Sequence, residues 1–344
     1  MSAPSAAWQQ IFADLPTNCR DPYFQPGYLA IHAAHEQVQP VWSHQSAGDE
    51  HLLVAGARHP LSGSDGWDLQ SVNGYGGPLA TTGWQPGALA EAWQTWRTAQ
   101  AAAGGVAALF RLHPLLDNAR WLPPDAVIRS DRETVYVPVS AGTEAAWQAA
   151  TPQHRNMVRK AQRLGLDVVW NHPADWPAAA NLYDEAMNRL QAAARLRFDA
   201  GYFGALQQQE WAELATVHDE HGLAAMAIFL FGPTWSHYHL AARRPDAGNH
   251  VGSLLVQAGI SRSSDRGLAG CHLGGGRSPT ADDPLLRFKR SLGGQVLTFQ
   301  IAGLILDAPA YARHVAAWTR QAGRAPSWFL GYREPIPSVT KGND

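Results

Sequence analysis

The spacing of apolar and polar positions changes several times along the chain, and each change marks a new element. Ala6–Asp14 and Tyr28–Glu36 read as helices, and Pro86–Ala103 sets Leu89, Trp93 and Trp96 near helical spacing. Val38–Ser43 and His51–Arg58 read as strands joined by a hairpin connection at Ser46-Ala47-Gly48-Asp49. Trp67–Val72 alternates as a strand and runs into Asn73-Gly74-Tyr75-Gly76-Gly77-Pro78, too rich in Gly and Pro for a regular element, so it is a shaped loop. Gly105–Arg111 and Thr134–Val139 are further strands.

Past Ser140-Ala141-Gly142-Thr143 the order becomes helix (144–150), helix (to 164), strand (166–170) and helix (177–194), then a helix from Asp199 to Leu214. Ala215–His218, Leu223–Phe231 and Thr234–Ala241 follow as antiparallel strands separated by turns. The chain then reads helix (252–266), strand (270–274), short helix (from Pro284), strand (295–302) and terminal helix (309–322). This is a mixed α/β order around one twisted, mostly antiparallel sheet. The break at 140 suggests two domains, 1–139 and 140–335, with helix 309–322 packing back on the first and a polar tail over 336–344.

At 344 residues and 45% hydrophobic content, the chain can bury a sizeable core. A net charge of −2 provides no global field to draw DNA or an acidic membrane surface. No apolar run is long enough for a transmembrane segment, and the N-terminus lacks the pattern of a signal peptide. The two cysteines, Cys19 and Cys271, have no metal-ligand spacing and suit a reducing compartment, so a cytoplasmic location is expected. A monomer or homodimer is expected.

The stretch Cys271–Gly294 concentrates candidate chemistry. Gly274, Gly275 and Gly276 let a backbone turn sharply or approach a ligand closely. Pro284, capped by Asp282 or Asp283, opens a short helix carrying Arg287, Phe288, Lys289 and Arg290. Lys289 is one of only three lysines in the chain, with Lys160 and Lys341. Arg155, Arg159 and Arg163 form an i, i+4, i+8 cationic stripe, and Tyr75 between glycines is a candidate wall for a small-molecule site. On the strand 234–241, Trp235, His237 and His239 face one way and Ser236 and Tyr238 the other. His239 or Tyr238 could relay a proton. His237 and His239 could ligate a metal, but no third ligand stands at convincing spacing, so no metal is expected.

The segment HLGGG, a short loop and LLRFKRSLGG resembles the C-terminal signature of the Fem-type peptidoglycan-bridge aminoacyltransferases, in the FemAB-like branch of the GNAT acyltransferase superfamily. Arg155-Asn156-Met157-Val158-Arg159-Lys160-Ala161 and Gly74-Tyr75-Gly76-Gly77-Pro78-Leu79 resemble further motifs of that family. The resemblance implies two tandem GNAT-like domains, the first degenerate and on the acceptor side, the second holding the donor and the main site. It implies that Lys289 neutralises charge at the donor ester, that Phe288 and Arg287 flank it, and that Arg197 and Tyr202 bind substrate. It also implies no tightly bound cofactor, a co-substrate that is either aminoacyl-tRNA or acyl-CoA, a small-molecule amine acceptor, and charged tRNA as a partner if the donor is tRNA-borne. The superfamily's CoA loop is poorly matched at 243–253, where Asp246 brings the wrong sign for phosphate, and no lysine lies in residues 1–159 to match the family's acceptor-binding lysine. The expected activity is amide formation on an amino sugar, an envelope precursor or a natural-product amine. The alternatives are a catalytically silent binding module for a nucleotide-sugar or partner protein, and a histidine-based metallohydrolase.

Overall fold

The computed structural model describes residues 3–336. In chain order its first half comprises helices α1 (Ala6–Asp14) and α2 (Pro26–His35), then strands β1 (Gln39–Ala47), β2 (Glu50–Pro60), β3 (Trp67–Gln70) and β4 (Gly77–Ala80). Helix α3 (Pro86–Ala102) and strands β5 (Gly105–Arg111) and β6 (Val127–Pro138) complete it. The second half holds α4 (Thr143–Ala149), α5 (Pro152–Arg163), β7 (Val168–Trp170), α6 (Asp175–Arg189) and α7 (Ala200–Gln207). It continues with β8 (Ala212–Asp219), β9 (Gly222–Phe231), β10 (Trp235–Arg243), α8 (Gly248–Asp265), β11 (Gly270–Gly275), α9 (Pro284–Arg290), β12 (Gln295–Ile305) and α10 (Ala308–Ala322).

The fold is the expected mixed α/β class. All twelve strands join one mostly antiparallel sheet in the order β1-β2-β3-β5-β12-β6-β11-β10-β9-β8-β7, with β4 paired to β2. Two neighbouring pairs are parallel, β3 with β5 and β10 with β11, and each is bridged by a long helix, α3 and α8. The strand that closes each half is placed beside the other half's parallel pair: β6 lies against β11, and β12 lies between β5 and β6. The sheet therefore runs unbroken through the centre of the molecule.

Three large apolar clusters clothe it, and a small fourth joins Leu61, Val106 and Ala310. One is built on Trp8, Trp93, Trp96 and Phe110 around α1 and α3. A second, under α4, α5 and α8, packs Val158, Phe229, Leu255 and Leu273. A third, under α2, α6 and α7, packs Tyr28, Tyr183, Phe203 and Leu230. Helix α10 lies against β5, and Tyr332 and Arg333 beyond it bond the buried Asp68 of β3. The expected tail falls, from residue 337 onward, outside the described residues.

Three elements differ from their sequence expectation. Gly77 and Pro78, expected in an irregular loop, open β4, because Gly77–Ala80 pairs with Leu52–Ala55 of β2. The helix expected over 199–214 ends at Gln207, and β8 starts at Ala212, because eight residues there pair with β9. Strand pairing there overrides the helical preference of Ala, Leu, Gln and Glu. Strand β6 begins at Val127 rather than Thr134; its exposed first residues, Val127 to Ser130, carry no apolar alternation and are strand only because β12 pairs with them.

The loop after β3 is wedged against the segment before α2. Gly74 has φ +92°, and a Cβ there would lie 2.2 Å from the ring of Tyr23. Gly74→Ala combines a left-handed backbone cost of at least about 1 kcal/mol with this overlap, so the variant is expected to show a lower urea midpoint at unchanged m-value.

Candidate functional site

Strands β10 and β11 pair for only three positions, Trp235–Gly270, Ser236–Cys271 and His237–His272, and then separate. Two irregularities open the fork. His239 is an extra residue in β10 opposite β9, and Leu273 is an extra residue in β11 opposite β6. Beyond them Gly274 turns with φ +71°, which a side chain would resist. From Tyr238 onward the β11-facing edge of β10 has no strand partner.

Lys289 lies at this fork. Asp283 caps α9 by accepting from Leu285 N at 2.9 Å and Leu286 N at 3.0 Å, and its other oxygen accepts from Arg277 N and Ser278 N, each at 3.0 Å. Burial raises the Asp283 carboxyl, but these bonds outweigh it and bring its pKa to about 2. The capped helix directs Lys289 inward, where Nζ donates to Gly275 O at 2.7 Å and sits 5.8 Å from the Tyr238 ring centroid. No carboxylate lies within 4.0 Å of it among the described residues. Burial pushes its pKa down to about 7, opposed in part by Asp283.

Behind the fork, facing α2 and α7, is a buried polar cluster. Asp21, 1% exposed, bonds His237 Nε2 at 2.6 Å and Tyr23 N at 3.1 Å, and His113 Nε2 stands 3.5 Å away. Burial raises the Asp21 carboxyl, yet the facing imidazoles of His237 and His113 hold it well below the carboxylate range. His239 bonds the hydroxyls of Tyr23 (3.3 Å) and Tyr202 (3.0 Å), and Tyr202 also bonds His32 at 2.6 Å. Tyr75 packs edge-on against Tyr23, His113, His272 and Phe299. Burial keeps His32, His113, His239 and His272 below the usual imidazole range, His239 at about 3.

The fork thus brings together Lys289, Tyr238, Tyr75, Gly274 and Gly275, while His239 and Tyr202 belong to the cluster behind it. Gly276 is next to the Asp283 carboxylate, where a Cβ would meet Oδ1 at 2.5 Å. The other expected residues lie elsewhere or are engaged. Arg155 donates to the carbonyls of Trp147, Gln148 and Ala150 and closes the end of α4. Arg159 is exposed beside Trp147. Arg197 holds its own loop through Ala192 O and Asn188. Arg287 is exposed, and Phe288 packs near His154. In the loop before α8, Arg244 pairs with Asp219 (2.8 Å) and Asp246 (3.1 Å), and Arg243 bonds Asn249.

Asp21, His113 and Tyr23 were not singled out from sequence. Asp21 and His113 each precede a proline in a loop, over 120 residues before β10, and no spacing links them to it. His237 and His239 do not converge on one point as a ligand pair. Asp21, His113 and His237 do meet within 4.8 Å, a set of metal-ligand types. However, His113 Nδ1 accepts from Leu115 N at 3.2 Å. In the neutral ring the proton must then be on Nε2, facing Asp21, so that nitrogen has no lone pair for an ion. The set reads as a hydrogen-bonded group.

Residues 152–290 match the family model of the acetyltransferase (GNAT) domain. No curated protein matches the chain. Among solved structures, FemX is similar at 13% identity and TM-score 0.70, covering 91% of this chain and 99% of its own. L-PGS from Bacillus licheniformis is similar at 12% identity and TM-score 0.57, covering 88% and 92%. A conserved protein of unknown function from Bacteroides thetaiotaomicron is similar at 12% identity and TM-score 0.60, covering 88% and 98%. At such identities the likeness is one of fold. Among the described residues no helix is long and apolar enough to cross a membrane.

The lowered pKa of Lys289 makes a prediction about stability. Below about pH 7 the ammonium is charged in both folded and unfolded chains, and folding carries the whole desolvation cost. Between about 7 and the ordinary lysine value of 10.5 the unfolded chain binds more protons, so wild-type stability rises with pH. Lys289→Met lacks this term. Its stability relative to wild type is expected to be highest at pH 6 and to fall by pH 9, read by urea unfolding at both pH values.

Proposed function

We propose that this protein is an acyltransferase that moves an acyl or aminoacyl group from an activated ester or thioester directly to an amino group, with donor and acceptor bound together. The observation that carries the reading is the fork between β10 and β11 with the buried Lys289 ammonium at its base. A carbonyl laid in the fork would meet the unpartnered backbone edge of β10 on one side and Lys289 on the other. As the amine attacks, negative charge develops on the carbonyl oxygen. A preorganised cation and N–H donors in a dry site lower that barrier more than the ground state.

In this reading residues 140–335 hold the donor and residues 1–139 complete the acceptor side, with Tyr75 as a wall. The donor is an acyl-CoA or an aminoacyl-tRNA. The acceptor is an amino sugar, an envelope precursor or a natural-product amine. Arg243 and Arg244 are tied to Asn249, Asp219 and Asp246, so a phosphate-bearing donor would have to displace these bonds.

The test is a donor screen, with acyl-CoAs set against charged tRNA pools, a panel of amines, and mass spectrometry of the products. Wild type is expected to form an amide with one donor class. Lys289→Met is expected to lose about 10²–10³-fold in turnover with its melting temperature retained. Saturable ligand binding with no turnover by either donor class would sink the reading in favour of a binding module.

A further inference from the structure

We propose that His237, held by Asp21, is the group that takes the proton from the attacking amine; this rests on the acyl-transfer reading above. Three observations carry it.

The first is orientation. Asp21 Oδ2 accepts from His237 Nε2 at 2.6 Å, while Asp21 itself is fixed because its Oδ1 accepts from Tyr23 N. The neutral His237 ring therefore carries its proton on Nε2 and a lone pair on Nδ1. Nδ1 is buried and has no hydrogen-bond partner. A buried nitrogen left open in this way is uncommon. A ring whose one nitrogen is held by a carboxylate and whose other nitrogen is free has the arrangement of a general base.

The second is uniqueness within the cluster. His239 has both ring nitrogens engaged by tyrosine hydroxyls; His32 bonds Tyr202 through Nε2, and its open Nδ1 has no carboxylate within 4.0 Å among the described residues. His113 uses Nδ1 for Leu115 N. Among the described residues His272 has no carboxylate within 4.0 Å, and its Nε2 is also buried without a partner. His113 Nε2 is open as well, but it faces the Asp21 carboxylate itself; within the cluster, among the described residues, only His237 has an open nitrogen on the side of the ring away from that carboxylate.

The third is position. His237 and His272 form the last rung before β10 and β11 separate, and their rings are 5.6 Å apart. The two rings, each with one open nitrogen, therefore stand at the base of the fork, and an amine or a bridging water that reached them there would satisfy them.

The step balances. The amine nitrogen forms a bond to the acyl carbon and gives one proton to His237 Nδ1. The tetrahedral intermediate then expels the ester oxygen or thioester sulfur, which takes that proton from His237. Asp21 stays ionised throughout and acts as a positioning residue.

The test uses the full chain with the donor and acceptor from the screen. His237→Gln is expected to lower kcat about 10²–10⁴-fold with little change in KM for the donor. Asp21→Asn places an amide donor where the carboxylate was and should favour the opposite His237 tautomer. It is expected to lower kcat similarly and to move the ¹⁵N resonances of His237 from the Nε2–H to the Nδ1–H pattern, a change that a merely structural role would not produce. If His237→Gln does not fold, the wild-type ¹⁵N spectrum decides: an Nδ1–H tautomer at His237 overturns the assignment. A folded His237→Gln with turnover near wild type, alongside an inactive Lys289→Met, overturns the dyad and leaves acyl transfer standing. Wild type without turnover on any donor removes both. Stoichiometric zinc in the purified protein that is lost on His113→Ala would also overturn the dyad.

Discussion

Everything that gives this molecule a site depends on two parallel strands that pair for three positions and no further. Parallel strands joined by a helix normally continue side by side, because each unmade rung leaves backbone donors and acceptors without partners. Here one inserted residue in each strand, His239 and Leu273, shifts the pattern, and Gly274 turns the chain away. The result is a wedge-shaped opening with polar backbone on one wall. Helix α9, held by the Asp283 cap, closes its base with Lys289.

Holding Lys289, Asp21 and five histidines in or beside the interior opposes folding unless each polar group finds a partner. Most do. The Asp21 carboxylate is met by His237, His113 and Tyr23 N, and His239 by two tyrosine hydroxyls. Four ring nitrogens are left over, on His32, His113, His237 and His272, and two of them, Nδ1 of His237 and Nε2 of His272, belong to the last rung before the fork. Buried polar groups without partners are where a structure has been shaped for something other than stability.

The exchange of closing strands between the halves explains why the cluster draws on distant sequence. Strand β12 returns from the end of the chain to lie between β5 and β6, and β6 lies against β11. This clamps the first half beside β10. Asp21, Tyr23, Tyr75 and His113 thereby reach His237 and His272.

Periodicity and turn chemistry in the sequence were sufficient for most helices and strands, for the Asp199 cap, and for a cap on α9 at Asp282 or Asp283, which the structure gives to Asp283. Those features depend on neighbours a few residues away, so they are written locally. They also marked Lys289 and the glycines before it, since a lysine in a nearly lysine-free chain stands out. The exposed start of β6 and the onset of β8 depended on partners far along the chain, and no local pattern carried them. The partner of His237 was equally hidden. A histidine on a strand reads the same whether it faces solvent, a metal or a carboxylate. Only the folding of a loop near residue 21 against a strand near residue 237 decides which, because burial and hydrogen bonding act through space and not along the chain.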